Sequence, residues 1–276
     1  MPARHAATLP DGGAEDYDRL APAVWNPVSN AVVAAADILV GERVLDLFAG
    51  TGTGTVPAAQ LAGPDGHVDA VDRSAAMLEL AAAKTGALHL GNVSFHATDP
   101  VSWTPDHAYD AIISCYGIVL LDEMDRSADR LLDLLRPGGR IALSSWDDGA
   151  LEPFDDFLRS VLEDVAQGPD VPGTPVFAQN SARLASPEAL HAWLVDRGLT
   201  DVSVERLRLT VPLEPDHAWS LALGSGYRGL LPDEPDALGR IRAAFLERVD
   251  RDLVLNADSL IAVGTSPSGG GPGAIR

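Results

Sequence analysis

The chain of 276 residues is predicted to be an α/β protein with a doubly wound, mostly parallel sheet. Three observations carry this expectation. Short aliphatic or β-branched runs alternate with stretches of helical spacing, the pattern of strands joined by crossover helices. The first run leads straight into a glycine-rich turn. Three runs also end on or just before an aspartate, which places those acids along the carboxyl edge of the sheet.

The elements follow in order. Arg43–Leu47 (RVLDL), His67–Val71 (HVDAV), Val93–Ala97 (VSFHA), Tyr109–Cys115 (YDAIISC) and Arg140–Ser145 (RIALSS) read as strands. Between them lie helical stretches at Val56–Ala62, Ser74–Thr85 before Gly86, and Glu123–Arg136 before Pro137-Gly138-Gly139. After Trp146 the pattern changes. A helix is expected over Phe154–Val165 and, after a Pro/Gly-rich loop, another over Pro187–Arg197, with Ser186 as its N-cap. Two late strand-like runs, Val202–Val211 and Leu253–Val263, bracket helical stretches at Asp216–Leu230 and Pro235–Arg251. Residues 1–14 and 265–276 lack apolar periodicity and read as disordered tails.

Composition narrows the function. There are 40 Asp+Glu against 20 Lys+Arg, a formal charge of −20. With no basic stretch, a nucleic-acid partner is not expected. One cysteine, Cys115, leaves no disulfide framework and no multi-cysteine metal site, and no metal is expected. No run approaches 18 uninterrupted apolar residues and the N-terminal stretch lacks a signal-length apolar core, so a cytoplasmic protein without membrane insertion is expected. Lys84, the only lysine, is assigned no role.

The turn after the first strand reads Phe48-Ala49-Gly50-Thr51-Gly52-Thr53-Gly54. Glycines there let a ligand approach the backbone, and the next helix offers unpaired N–H groups. A P-loop would need Lys after its last glycine, and a dinucleotide fingerprint from Gly50 would need glycine where Thr55 stands. Asp46 on the strand suits a cationic ligand head better than a pyrophosphate. Asp72, closing the second strand, is placed to accept from ribose hydroxyls. Asp99, after the third, could accept from an adenine amino group. A nucleoside carrying positive charge fits these three acids.

These residues resemble the class I S-adenosylmethionine-dependent methyltransferases, over roughly residues 15–264. VLDLFAGTG is similar to that family's first motif, AVDRSAAML to its ribose motif and NVSFHATDP to its adenine strand. YDAIISCYGIVLLDEMDRSADRLLDLLRPGGRIALSSW resembles its fourth strand, helix and turn into the fifth. The subgroup most resembled holds ubiquinone/menaquinone-type and small-molecule natural-product enzymes. The family usually has Gly or Ala where Phe48 stands. Phe occurs there in some base-modifying branches, but their Asn/Asp-Pro-Pro-Tyr/Phe tetrapeptide is absent: the place reads Ser114-Cys115-Tyr116-Gly117.

The resemblance implies a seven-stranded sheet of order 3-2-1-4-5-7-6 with strand 7 antiparallel, and helical substrate-lid insertions at 151–185 and 212–251. It implies S-adenosyl-L-methionine as cofactor, with S-adenosyl-L-homocysteine as product. Ala49, Gly50 and Gly52 would pack under the methionine part and Asp46 would hold its ammonium, directly or through water. Asp72 and Arg73 would meet the ribose, Met77 the adenine face, and Thr98 and Asp99 the adenine edge. Ser114 and Cys115 would face the sulfonium, and Tyr17 would close over the cofactor. His217 and Asp122 are the candidate general bases, and Tyr116, Trp219 and Tyr227 the candidate substrate contacts. The expected activity is O-, N- or C-methylation of a small acceptor, neutral or apolar, in secondary metabolism, by a chain that could form a homodimer. Two alternatives are a cofactor-binding cyclase or rearrangement enzyme that transfers no methyl, and a non-catalytic adenosyl-binding scaffold.

Overall fold

The computed structural model describes residues 11–166, 176–249 and 253–268. Its elements, in chain order, are α1 (Ala14–Arg19), α2 (Asn26–Ala35), β1 (Arg43–Leu47), α3 (Thr55–Ala62), β2 (His67–Asp72), α4 (Ala75–Ala87), β3 (Val93–Ala97) and β4 (Tyr109–Ser114). There follow α5 (Met124–Leu132), β5 (Leu135–Trp146), α6 (Glu152–Ala166), α7 (Val176–Arg183), α8 (Pro187–Val195), β6 (Thr200–Leu207) and β7 (Thr210–Pro212). The chain goes on through α9 (Pro215–Gly224), α10 (Pro235–Arg248), β8 (Val254–Asn256) and β9 (Ser259–Thr265).

Seven strands form one sheet in the order β3-β2-β1-β4-β5-β9-β6. The strands through β5 pair in parallel, and β9 runs antiparallel between β5 and β6. This is the expected order, with β9 as the last strand. The chain reverses its direction of travel across the sheet between β1 and β4, so the crevice above those two strands is the natural ligand site of an open α/β sheet. The register puts Leu47 beside Val71 and Asp72 beside Ala97, so the Asp46 and Asp72 ends share one edge.

Alternation along each strand feeds two cores, one on each face of the sheet. Val44, Ile113 and Ala142 face α2, α3 and α6, whereas Leu45, Leu47, Ile112 and Ile141 face α5 and α8. Helix starts follow the sequence signals. Ser74 accepts from Met77 N–H to cap α4, and Ser186 accepts from Ala189 N–H to cap α8.

The structure corrects several expected boundaries. Each late strand-like run breaks in two, because β7 and β8 leave the main sheet to form their own antiparallel ribbon. The helix expected over Glu123–Arg136 stops at Leu132, and β5 already begins at Leu135. Three helices have no sequence expectation: α1, α2 and α7. Ala14 opens α1 and Thr265 closes β9, so both lie inside elements; most of the two expected tails falls outside the described residues. Parts of the insertions, 167–175 and 250–251, also fall outside them. No helix among the described residues is long and apolar enough to cross a membrane.

Candidate functional site

β1 delivers the glycine loop to the sheet edge in a run of left-handed backbone: Phe48 has φ 59°, Gly50 53° and Gly52 82°. Gly52 is confined as well as bent, since a Cβ there would sit 2.8 Å from Ala81 Cβ on α4. Asp72 ties this loop to β2. Its Oδ2 accepts from Gly50 N–H at 2.9 Å and its Oδ1 from Ser74 N–H at 2.9 Å. Each oxygen keeps a further lone pair for a ligand hydroxyl. Burial raises the Asp72 carboxyl, against the pull of these amides.

Asp46 is 2% exposed and accepts from Thr55 Oγ1 at 2.6 Å. Burial, reinforced by the charge of Asp72, pushes its carboxyl up to about 7 despite the Thr55 bond. Its carboxylate lies behind Gly54, where an added Cβ would come within 3.3 Å of Oδ2.

The N-terminal segment closes over this loop. Tyr17 stacks on Trp25 at 4.7 Å, and its ring lies 3.5 Å from where a Gly50 Cβ would be. Trp25 Nε1 donates to Tyr17 O at 2.9 Å. Lys84 Nζ binds Asp18 and donates to Thr51 O at 2.8 Å, clamping α1 to the glycine loop. On the far side α1 packs on α9, where a Cβ on Gly224 would fall 2.3 Å from Tyr17 N. Gly226 leaves room in the same way for the Phe177 ring. The stretch Gly224-Ser225-Gly226 is therefore a close-packing device.

A cavity opens between the loop and the later helices. At one end it is lined by Tyr17, Gly50, Asp72, Met77 and Cys115. At the other it is lined by Tyr116, Trp146, Leu151, Phe177 and Tyr227. Tyr116 has φ 57° and is held by three contacts. Its N–H donates to Ser144 Oγ at 3.0 Å, its hydroxyl meets Ser259 Oγ at 2.5 Å, and its ring stacks on Trp146 at 4.0 Å. Burial raises the Tyr116 hydroxyl, the Ser259 bond opposing, and likewise raises Tyr17 and Tyr227. Burial, with the charge of Asp46, pushes the Cys115 thiol up to about 12.

The remaining candidates lie off this wall. Ala49, Gly52, Ser114 and Asp46 support it from behind, Ser114 Oγ donating to Leu47 O at 3.2 Å. Arg73 and Asp99 pair with each other at 2.8 Å, and Asp99 Oδ1 also takes Val101 N–H at 3.0 Å. Thr98 N–H donates to Asp72 O at 2.9 Å. Trp219 is not at the cavity but in the core, 5.2 Å from the Phe245 ring. His217 in the first turn of α9 and Asp122 before α5 are exposed, and neither lines the cavity. Sequence reasoning missed Trp25, Leu221 and Phe48 as wall residues. Phe48 carried a signal as the departure from the usual small residue, and Gly117 beneath it accommodates the ring: a Cβ there would fall 2.3 Å from Phe48 Cδ2.

Comparison with known proteins completes the assignment. A model described as a methyltransferase domain matches residues 44–139. Aklanonic acid methyltransferase of Streptomyces sp. (strain C5) is 31% identical over 136 residues, 49% of this chain and 62% of that protein, so the chain spans less than two thirds of its length. Demethylmenaquinone methyltransferase of Renibacterium salmoninarum is 30% identical over 64% of this chain and 74% of that protein. The structure of an S-adenosylmethionine-dependent methyltransferase from Aquifex aeolicus covers 92% of this chain and 97% of its own. Its TM-score is 0.52 at 15% identity, a likeness of fold alone. With the glycine loop, the acid closing β2 and the strand order all on this pattern, the chain belongs to the family of S-adenosylmethionine-dependent methyltransferases.

Proposed function

We propose that the protein methylates a small-molecule acceptor whose reactive part is apolar or aromatic. One observation carries this reading: the cofactor-facing residues and an aromatic wall belong to a single cavity. Asp72 and Gly50 fit the nucleoside end, since Asp72 retains acceptor capacity on both oxygens and Gly50, at φ 53°, holds the loop in a left-handed turn beneath the Tyr17 ring. Met77, buried in the same wall, offers a flat apolar surface to a base. When bound, the cofactor supplies a methyl group already activated by its sulfonium.

The chain's own part is alignment and exclusion of water, which can lower the barrier by about 7–11 kcal/mol. Tyr116 and Trp146, locked by stacking and by Ser259, present a rigid face to the acceptor. Tyr17 and Trp25 close the cavity on the N-terminal side. Cys115 stays a neutral thiol in this setting, because burial and Asp46 disfavour the thiolate; it does not compete for the methyl. Neither His217 nor Asp122 is placed to take a proton from an acceptor in the cavity. The reading therefore favours an acceptor atom that is already nucleophilic, or whose proton leaves by water. The methyltransferase names of the relatives support transfer over cyclisation.

Two measurements test this. S-adenosylhomocysteine at about 100 times its Kd should stabilise the protein by about 2.7 kcal/mol. Asp72→Asn should lose most of that gain relative to its own ligand-free state. Incubation with methyl-labelled S-adenosylmethionine and a small-molecule extract should put label into an organic product. Substrate conversion with the cofactor unchanged would overturn the reading in favour of a cyclase.

A further inference from the structure

Next to the cofactor-facing cavity lies a larger one of about 590 Å³. The two share Trp146, Leu151, Phe177 and Tyr227 as a common wall and so lie side by side. The charge of the outer cavity is one-sided. Among the described residues Asp147, Asp148, Glu152, Asp155 and Asp156 line it against one cation, Arg159, which is committed to Asp155 at 2.6 Å. Among the described residues no ion pair reaches Asp148, Glu152 or Asp156.

Two buried polar atoms in this wall point to a ligand donor. Asp147 is 5% exposed, and its Oδ2 takes Arg206 Nε at 3.0 Å and Arg208 Nη1 at 3.3 Å. Its Oδ1 is buried with no hydrogen-bond partner, and so is Ser181 Oγ of α7 in the same cavity. A buried carboxylate oxygen left unpaired costs free energy that a donor from outside would recover. The other surfaces are aromatic faces, Trp146, Phe177 and Tyr227, which attract a cation through their ring quadrupoles.

We propose that the outer cavity recognises a protonated amine on the acceptor. The inference rests on the function proposed above and names its substrate class: an apolar or aromatic reactive part joined to a basic amine. The ammonium donates to Asp147 Oδ1 and Ser181 Oγ, inside the field of the acidic rim. Its nitrogen has no free lone pair, so the amine is the recognition group and the methyl goes to another atom, held at Tyr116 and Trp146. The charge of −20 adds long-range attraction for such a cation.

The test is calorimetric titration of the S-adenosylhomocysteine-saturated protein with three probes sharing one ring. Tyramine is the cation, 4-ethylphenol the neutral analogue and 3-(4-hydroxyphenyl)propionate the anion. Tyramine should bind at least tenfold tighter than 4-ethylphenol, with the anion weakest, and added salt should narrow the gap. The double variant Glu152→Gln, Asp156→Asn changes exposed positions only and should cut the tyramine preference at least threefold. Ser181→Ala should weaken tyramine and leave 4-ethylphenol unchanged. Equal binding of the neutral probe, tighter binding of the anion, or no tyramine binding would overturn the amine proposal. The thermal shift with S-adenosylhomocysteine separates the two levels: if it is absent the methyltransferase reading fails, and if it is present only the substrate class fails.

Discussion

At the residue scale, Asp46 is a buried acid beneath the glycine loop. The sequence expectation was a direct or water-mediated grip on an ammonium. The fold buries the carboxylate against Thr55 behind Gly54. This has a consequence for pH. The folded Asp46 titrates near 7 against an ordinary 3.8, so between those values the native state holds a proton that the unfolded chain has lost. Stability of the ligand-free protein should therefore fall as pH rises from about 4 to about 7. Asp72, also raised, acts in the same direction. Denaturant melts across this range should show a flatter decline for Asp46→Asn than for the wild type. Identical pH profiles would remove Asp46 as the cause.

At the scale of elements, α1 behaves as a strap. Tyr17 covers Gly50 from above, and Lys84 on α4 joins Asp18 of α1 to Thr51 of the loop. The lysine without an assigned role thus connects α1 to the glycine loop. Its partners are partly exposed, so Lys84→Met should cost less than about 1 kcal/mol of stability. The same change should release the strap and speed S-adenosylhomocysteine dissociation several-fold in stopped-flow measurements. An unaltered dissociation rate would show that the Lys84 clamp does not hold α1 over the loop.

At the scale of the whole molecule, the acidic surplus does two jobs. Part of it is gathered by β5, α6 and the turn between them into the wall of the outer cavity. The rest sits in a chain of charge −20, whose self-repulsion weakens the compact state. Raising ionic strength from about 0.01 M to about 0.1 M shortens the screening length from about 30 Å to about 10 Å. The melting temperature of the ligand-free protein should rise with it, in a salt that does not bind the fold. A flat or falling curve would mean that the carboxylates are already locally compensated.

The sequence by itself determined the strands, the glycine loop and the acid closing β2, because these rest on local signals: short aliphatic runs, clustered glycines and an aspartate at a strand end; the strand order came from the family resemblance. It also offered Tyr17, Met77, Cys115, Tyr116 and Tyr227, which the fold brings to one cavity. Tertiary structure alone decided the rest. Trp219 and Tyr227 lie eight residues apart in similar surroundings, yet one packs into the core on Phe245 and the other faces the cavity. His217 and Asp122 were plausible by residue type, but the first turn of α9 and the turn before α5 leave them exposed. Five acids close in sequence read as solvated surface until β5 and α6 fold them around one space. Burial and mutual distance set what a carboxylate, thiol or imidazole can do, and both depend on segments distant in the chain.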